Sequence, residues 1–283
     1  MISRLSPIFG ILAVLLWGLS FSAGKIAYQQ LNVFELTLMR LGIASLCFFP
    51  VLVYDVHKNG IPCKKDLLLL TFVGFFAFLA TLLLQFLGLT YVDASVASIT
   101  AGLEGTFVMI ISYLVLKQKP SKSNCFVASI SMIGLIIVIG IPEQTKITGV
   151  FLIMMANVCA GISTVAQKPL FENISVLGIT SWTVIISFLI ISLGIPFFEV
   201  TNMEYYTNKT WMALLLLSVG ATVVAYLLST LCLKHLSTNR SAQFMVMEPI
   251  VGVFAAVILL GEAFTINIII GTTLVVIAMA VNS

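Results

Sequence analysis

The chain has 283 residues, 60% of them hydrophobic and 9% charged, against about 25% charged in an ordinary soluble domain. That balance, with a mean hydropathy of +1.15, excludes a soluble globular protein and requires an all-α polytopic membrane protein. A net charge of +3, spread between loops, offers no basic surface to nucleic acid.

Apolar runs of about 17–25 residues can cross a bilayer as helices. Ten are expected, over 7–25, 34–54, 67–91, 94–116, 125–141, 147–167, 176–198, 211–233, 241–260 and 264–281. The first follows Arg4 and, at about 18 residues, exceeds the ~7–15 of a signal-peptide core, so it reads as a structural helix. The longest polar linkers, Asp55–Asp66 and Glu199–Thr210, leave no room for a separate soluble domain. With the N-terminus inside, ten Lys and Arg (Arg4, Lys58, Lys64, Lys65, Lys117, Lys119, Lys122, Lys168, Lys234 and Arg240) fall in the cytoplasm, and three (Lys25, Lys146 and Lys209) outside. The positive-inside rule then places both termini in the cytoplasm of a plasma (bacterial inner) membrane.

Five cysteines, Cys47, Cys63, Cys125, Cys159 and Cys232, form no CxxC, and four lie in apolar runs. They read as small buried hydrophobes, not a disulfide set or a metal site. No cofactor is expected; coupling to a proton or another ion is the alternative source of drive.

Shifted by 144 positions, "LTYVDASVASITAGLEG" (Leu89–Gly105) lies over "LKHLSTNRSAQFMVMEP" (Leu233–Pro249), and Glu104 meets Glu248. Shifted by 143, Gly18 meets Gly161 and Lys25 meets Lys168. The chain is therefore expected to hold two repeats, 1–142 and 143–283, of five transmembrane helices each. An odd number per repeat inverts the second against the first and puts a substrate site near the midplane, where the halves meet.

The residues also resemble the EamA family of the drug/metabolite transporter superfamily. "WGLSF" (Trp17–Phe21) is similar to that family's opening motif, and Arg40 stands at the usual place in span two. "GATVVAYLLSTLCLKHLSTNRSAQFMVMEPIVGVFAAVILLGEAF" (Gly220–Phe264) resembles its most recognisable segment, with "EP" at Glu248–Pro249 and "GE" at Gly261–Glu262. The resemblance implies ten helices, cytosolic termini and alternating access through a central cavity. It also implies export or exchange of amino acids, other metabolites or drugs. The first half departs from the pattern: Gly105 stands where many members have proline.

Glu104 and Glu248 are the leading site residues. A carboxylate at mid-span costs on the order of a few kcal/mol and usually marks a pathway. Two of them in one low-dielectric cavity cannot both ionise cheaply, so the pair can hold a proton or trade it for a cation. The plainer reading is that each hydrogen-bonds a neighbouring helix. Pro249, which removes a donor for the carbonyl of Met245, and Gly105 are candidates for a kink used in gating. Arg40, about 9 Å into span two at ~1.5 Å per residue, needs an acceptor: Glu104, Glu248, Glu35 or a substrate carboxylate. Trp17 and Tyr226 suit an amine through cation–π contact. Gln85, Thr100, Asn157 and Gln243, with Ser20, Ser98 and Thr164, complete the candidates; some only bridge helices.

No GxxxxGK[ST] is present, so ATP does not drive the chain directly. Asp55, Asp66 and Asp93 lie at span ends, His57 and His235 in loops, and no HExxH occurs, which weighs against an intramembrane enzyme. The inverted duplication weighs against a passive scaffold. The expected function is a secondary active transporter, proton-coupled, exporting or exchanging a small amine-bearing metabolite or amino acid. A cationic drug-like compound or other small metabolite is the alternative. Its partners are the small-molecule substrate and the lipid bilayer, and the chain is a monomer or a dimer.

Overall fold

The structure, a computed structural model, describes residues 2–139, 144–198 and 203–282. The linker expected over Glu199–Thr210 falls partly outside these residues. Every regular element among them is helical. In chain order come α1 (Ile2–Ala27), α2 (Val33–Asn59) and α3 (Lys64–Gly74), which runs through a π-helical stretch, Phe75–Ala80, into α4 (Thr81–Tyr91). Then come α5 (Ala94–Ala101), α6 (Glu104–Leu116), α7 (Lys122–Ile139), α8 (Gln144–Ala166) and α9 (Val176–Ser192). α10 (Asn208–Leu215) passes through a second π-helical stretch, Leu216–Val224, into α11 (Ala225–His235). α12 (Thr238–Gln243), a 3-10 turn (Phe244–Met247), α13 (Glu248–Ala255), a third π-helical stretch (Ala256–Leu260) and α14 (Ile266–Asn282) close the chain.

Among the described residues, seven helical stretches are long and apolar enough to cross a membrane: Leu5–Ala27, Val33–Asn59, Lys64–Tyr91, Ala94–Leu116, Lys146–Glu172, Val176–Phe197 and Asn208–His235. The spans expected over 125–141 and 241–260 appear as shorter apolar helices, Asn124–Val138 and Glu248–Leu260. The chain is a multi-pass membrane protein.

Helix ends in such a protein must find partners for their orphan backbone groups. Asn32 caps α2, its Oδ1 accepting from the Glu35 amide at 2.9 Å. Ser175 caps α9 through the Gly178 amide at 2.8 Å. α5 is capped from far away. Glu262 accepts from the Ala94 amide at 2.7 Å and the Ser95 amide at 3.0 Å, whereas Asp93, the residue in capping position, makes no side-chain cap bond. Small residues bring helices close: a Cβ on Gly88 of α4 would meet the Gly149 carbonyl of α8 at 2.7 Å.

The cysteines correct the expectation of burial. All five are free; Cys47, Cys63 and Cys125 are exposed, Cys159 is half-buried and Cys232 alone is buried. In a bundle whose outer face meets lipid, an apolar residue loses nothing by facing outward.

Candidate functional site

Glu104 and Glu248 sit where the α-helical pattern is interrupted. α5 ends at Ala101, residues 102–103 form a turn, and Glu104 opens α6. In the second half the chain is in a 3-10 turn over Phe244–Met247, and Glu248 opens α13. Both carboxylates therefore stand in the first α-helical turn after an interruption of the α-helical hydrogen bonding. Pro249 lies in the first turn of α13, and the carbonyl it leaves without its donor, that of Met245, falls within the preceding 3-10 turn. Gly105 holds the corresponding position in α6 and is buried.

The two breaks lie against each other. A Cβ on Gly102 would meet Pro249 Cγ at 2.3 Å, and one on Gly252 would meet Ser98 Cβ at 2.3 Å. Gly18 packs on the first turn of α13, its built Cβ 3.0 Å from the Glu248 carbonyl and 2.8 Å from Val251 Cβ. Gly161 packs on the first turn of α6, 3.3 Å from Phe107 C and 3.2 Å from the Val108 amide nitrogen. The glycines that matched in the sequence thus seat the two Glu-bearing turns in the same way.

A cavity of roughly 70 Å³ brings together Trp17, Arg40, Gln85, Glu104, Tyr226 and Glu248, with Ser20 and Thr164 also on its wall. The Glu104 and Glu248 carboxylates accept no hydrogen bond from a described residue and lie within Coulombic reach of each other. Tyr226 lies within reach of Arg40, Glu104 and Glu248. Its ring meets Trp17 edge-on at 5.2 Å and Phe78 at 4.4 Å.

The π-helical stretches shape this wall. A π turn widens the helix and displaces carbonyls from their α-helical partners. Tyr226 Oη donates to the Ala77 carbonyl at 3.2 Å, in the first stretch. Trp17 Nε1 donates to the Ala221 carbonyl at 2.9 Å, in the second. Ala77 and Ala221 stand 144 positions apart, the offset that relates Glu104 to Glu248.

Arg40 differs from expectation. Its Nε donates to Thr222 Oγ1 at 2.7 Å, its Nη2 makes a long contact to the Ala221 carbonyl at 3.4 Å, and its guanidinium covers the Phe86 ring at 5.5 Å. Its hydrogen bonds go to no carboxylate among the described residues. Glu35, one of the partners considered for it, instead accepts from Tyr206 Oη at 2.5 Å.

Thr100 and Asn157 do not line the cavity. Asn157 Nδ2 donates to the Thr100 carbonyl at 2.8 Å, which also accepts from the Leu103 amide at 3.2 Å. Ser98 is buried under Gly252. The Gln243 side chain lies outside the described residues. Among the phenylalanines around the first π-helical stretch, Phe78 lines the cavity, while Phe72 and Phe75 face outward. Trp182 packs beside the cluster of Leu70, Val73, Leu170, Ile174 and Ile179.

Sequence reasoning missed a hydroxyl-rich arm of the cavity: Thr81, Ser163, Thr180, Thr183, Ser229 and Thr230, with Gln167 and Ser241 at its far end. The signal was a density of Ser and Thr in α8, α9 and α11. It is ambiguous, because Thr180 and Thr183 also bond their own helix, to the Val176 carbonyl at 2.9 Å and the Ile179 carbonyl at 2.7 Å. The arm runs toward the end of the bundle that carries Lys168. There Gln167 Nε2 donates to Thr230 Oγ1 at 3.2 Å and Lys168 Nζ to the Leu236 carbonyl at 2.6 Å.

At the opposite end, contacts join the end of α1 and the start of α2 to the segment before α10. Gln30 donates to the Tyr205 carbonyl at 2.7 Å and accepts from the Thr207 amide at 2.8 Å and from Thr210 Oγ1 at 2.5 Å. Phe34 stacks on Phe198 at 4.2 Å. Tyr206, hydrogen-bonded to Glu35, has its hydroxyl pushed above the usual tyrosine range, first by burial and then by the hydrogen bond to that carboxylate and its charge.

The profile of the EamA-like transporter family matches this chain twice, over residues 4–140 and 147–283. An uncharacterized transporter of Archaeoglobus fulgidus is 25% identical over 268 residues, covering 95% of each chain. Uncharacterized transporter YoaV of Bacillus subtilis is 23% identical, covering 97% of this chain and 95% of its own length. A protein of Salmonella typhimurium named a probable amino-acid metabolite efflux pump is 23% identical over 99% of this chain and 95% of its own. A crystal structure at 15% identity matches with a TM-score of 0.75, over 98% of this chain and 96% of the other, and shows the fold alone.

Proposed function

Because the chain belongs to the EamA-like transporter family, we propose that it is a proton-coupled secondary transporter that exports or exchanges a small amine-bearing metabolite or amino acid. In this reading ten spans form two inverted halves, 1–142 and 143–283, and both termini lie in the cytoplasm. The Lys168 end of the bundle then faces the cytoplasm, the hydroxyl-rich arm is the route inward, and the Gln30–Thr210 and Glu35–Tyr206 contacts hold the outer side shut.

The observation that carries the reading is the pair Glu104 and Glu248 in one cavity, hydrogen-bonded by none of the described residues and beside the Trp17–Tyr226 rings. A carboxylate held only to fix packing has hydrogen-bond donors around it; these two leave their oxygens to whatever enters. An ammonium satisfies them and meets the aromatic faces. Protons arriving from outside neutralise the carboxylates and release the cation there, which couples the two fluxes. A cavity of roughly 70 Å³ holds a handful of water molecules, well below the ~300–1,000 Å³ of a drug-sized site, and favours a small substrate over a drug-like one. The name of the Salmonella typhimurium relative points the same way.

Binding of amine-bearing compounds to the purified protein between about pH 5 and 9 tests the proposal. Affinity should weaken as the pH falls and the carboxylates take up protons. Affinity that is flat or that improves on acidification overturns carboxylate capture of a cation.

A further inference from the structure

Building on that transport reading, we propose that the cavity is made for a zwitterion: Arg40 seats a substrate carboxylate, while Glu104 and Glu248 seat its ammonium. The substrate is then an amino acid or a like compound, not a bare amine.

Arg40 is 2% exposed and reaches the cavity from α2. A buried guanidinium without a counter-charge is costly, and protein interiors normally supply the carboxylate. Here the described residues supply two neutral acceptors. Nε is spent on Thr222 Oγ1 at 2.7 Å, and Thr222 is itself oriented by its bond to the Leu217 carbonyl at 2.9 Å. The Ala221 carbonyl, at 3.4 Å from Nη2, lies beyond the usual hydrogen-bond length. Phe86 covers one face of the group. The guanidinium is thus anchored by its Nε edge, and its terminal amino groups keep donors to spare. That is the fork which meets a carboxylate two-pronged.

The cavity is bipolar as a result. Arg40 supplies the positive pole, Glu104 and Glu248 the negative one, and Tyr226 stands within Coulombic reach of all three. A bare amine meets the negative pole alone, is repelled by Arg40 and leaves the guanidinium as it was. A zwitterion answers both poles with one molecule.

The test uses matched probes on the full-length protein in detergent and in proteoliposomes: amino acids, their decarboxylated amines, and their methyl esters. Ligand-induced thermal stabilisation and counterflow exchange are the readouts. The free amino acid should bind wild type at least about tenfold more tightly than its amine or ester, the size expected for a hydrogen bond to a charged group. Arg40→Gln should bring acid and amine to the same affinity, and Arg40→Lys should restore part of the preference. Should Arg40→Gln not fold, the wild-type comparison with Arg40→Lys still decides the matter. Amines and esters that bind wild type as tightly as the amino acids overturn the carboxylate seat and leave amine transport standing. A panel in which neither amino acids nor amines bind overturns both readings.

Discussion

Pro249 rests on Gly102, so that the second helix break is built directly on the first; a Cβ at Gly102 would reach Pro249 Cγ at 2.3 Å. Neither partner can retreat easily, since one is a rigid ring and the other a backbone turn between α5 and α6. Gly102→Ala should therefore destabilise the protein by about 1–3 kcal/mol through overpacking. Gly220→Ala is the control. There the nearest atoms are the side-chain tips Leu216 Cδ1 at 3.2 Å and Leu16 Cδ2 at 3.7 Å, which can shift. Melting in detergent should separate the two variants, and equal melting temperatures would show that the breaks do not bear on each other.

Glu104→Gln and Glu248→Gln keep side-chain shape, and no described residue donates a hydrogen bond to either carboxylate. Folding should be nearly untouched, while transport should drop by roughly tenfold or more as a charged partner for the substrate is lost. Exchange rates in proteoliposomes, set against melting temperature, measure the split. Variants that unfold but transport normally per folded molecule would make these residues structural.

Trp17→Phe and Tyr226→Phe each delete one hydrogen bond to a π-stretch carbonyl, Ala221 or Ala77, while retaining a ring. Each should lose about 1 kcal/mol of stability. Because the two rings touch, the double variant should not be additive. A thermodynamic cycle on melting data checks this, and strict additivity would mean that the two π stretches are held independently.

The contacts at the Gln30 end make a further prediction with a definite pH sign. A hydroxyl whose folded pKa lies above its unfolded value, about 10 for tyrosine, contributes stability fully below that value. That contribution is lost only as the pH climbs through the folded one. Tyr206 is in this position, raised by burial and by Glu35. The Glu35–Tyr206 bond should accordingly hold without change between about pH 6 and 9. Tyr206→Phe or Gln30→Ala should loosen this end at every pH. Labelling of Ser20→Cys, in a background lacking native cysteines, by a membrane-impermeant thiol reagent applied from outside should rise in both variants. Labelling that rises only with pH in the wild type would contradict the assignment.

Much of this was legible in the residues. A chain 60% hydrophobic and 9% charged can bury itself only in a bilayer, and the Glu104–Glu248 and Gly18–Gly161 matches disclosed the repeat. Because a charge at mid-span is rare, the two glutamates also announced the cavity in which Trp17, Arg40, Gln85 and Tyr226 join them. Hydropathy, however, records what a segment as a whole gains by leaving water. It is blind to backbone continuity and to which face a side chain takes. The interruptions at 102–103 and 244–247, the π stretches and the choice of which hydroxyls line the cavity were therefore decided in the tertiary structure. So were the partners of Arg40 at Ala221 and Thr222, and the capping of α5 by Glu262, because each joins groups more than 160 positions apart in the chain. In a membrane such buried polar groups must be satisfied from whatever helix packs beside them, and only the fold says which helix that is.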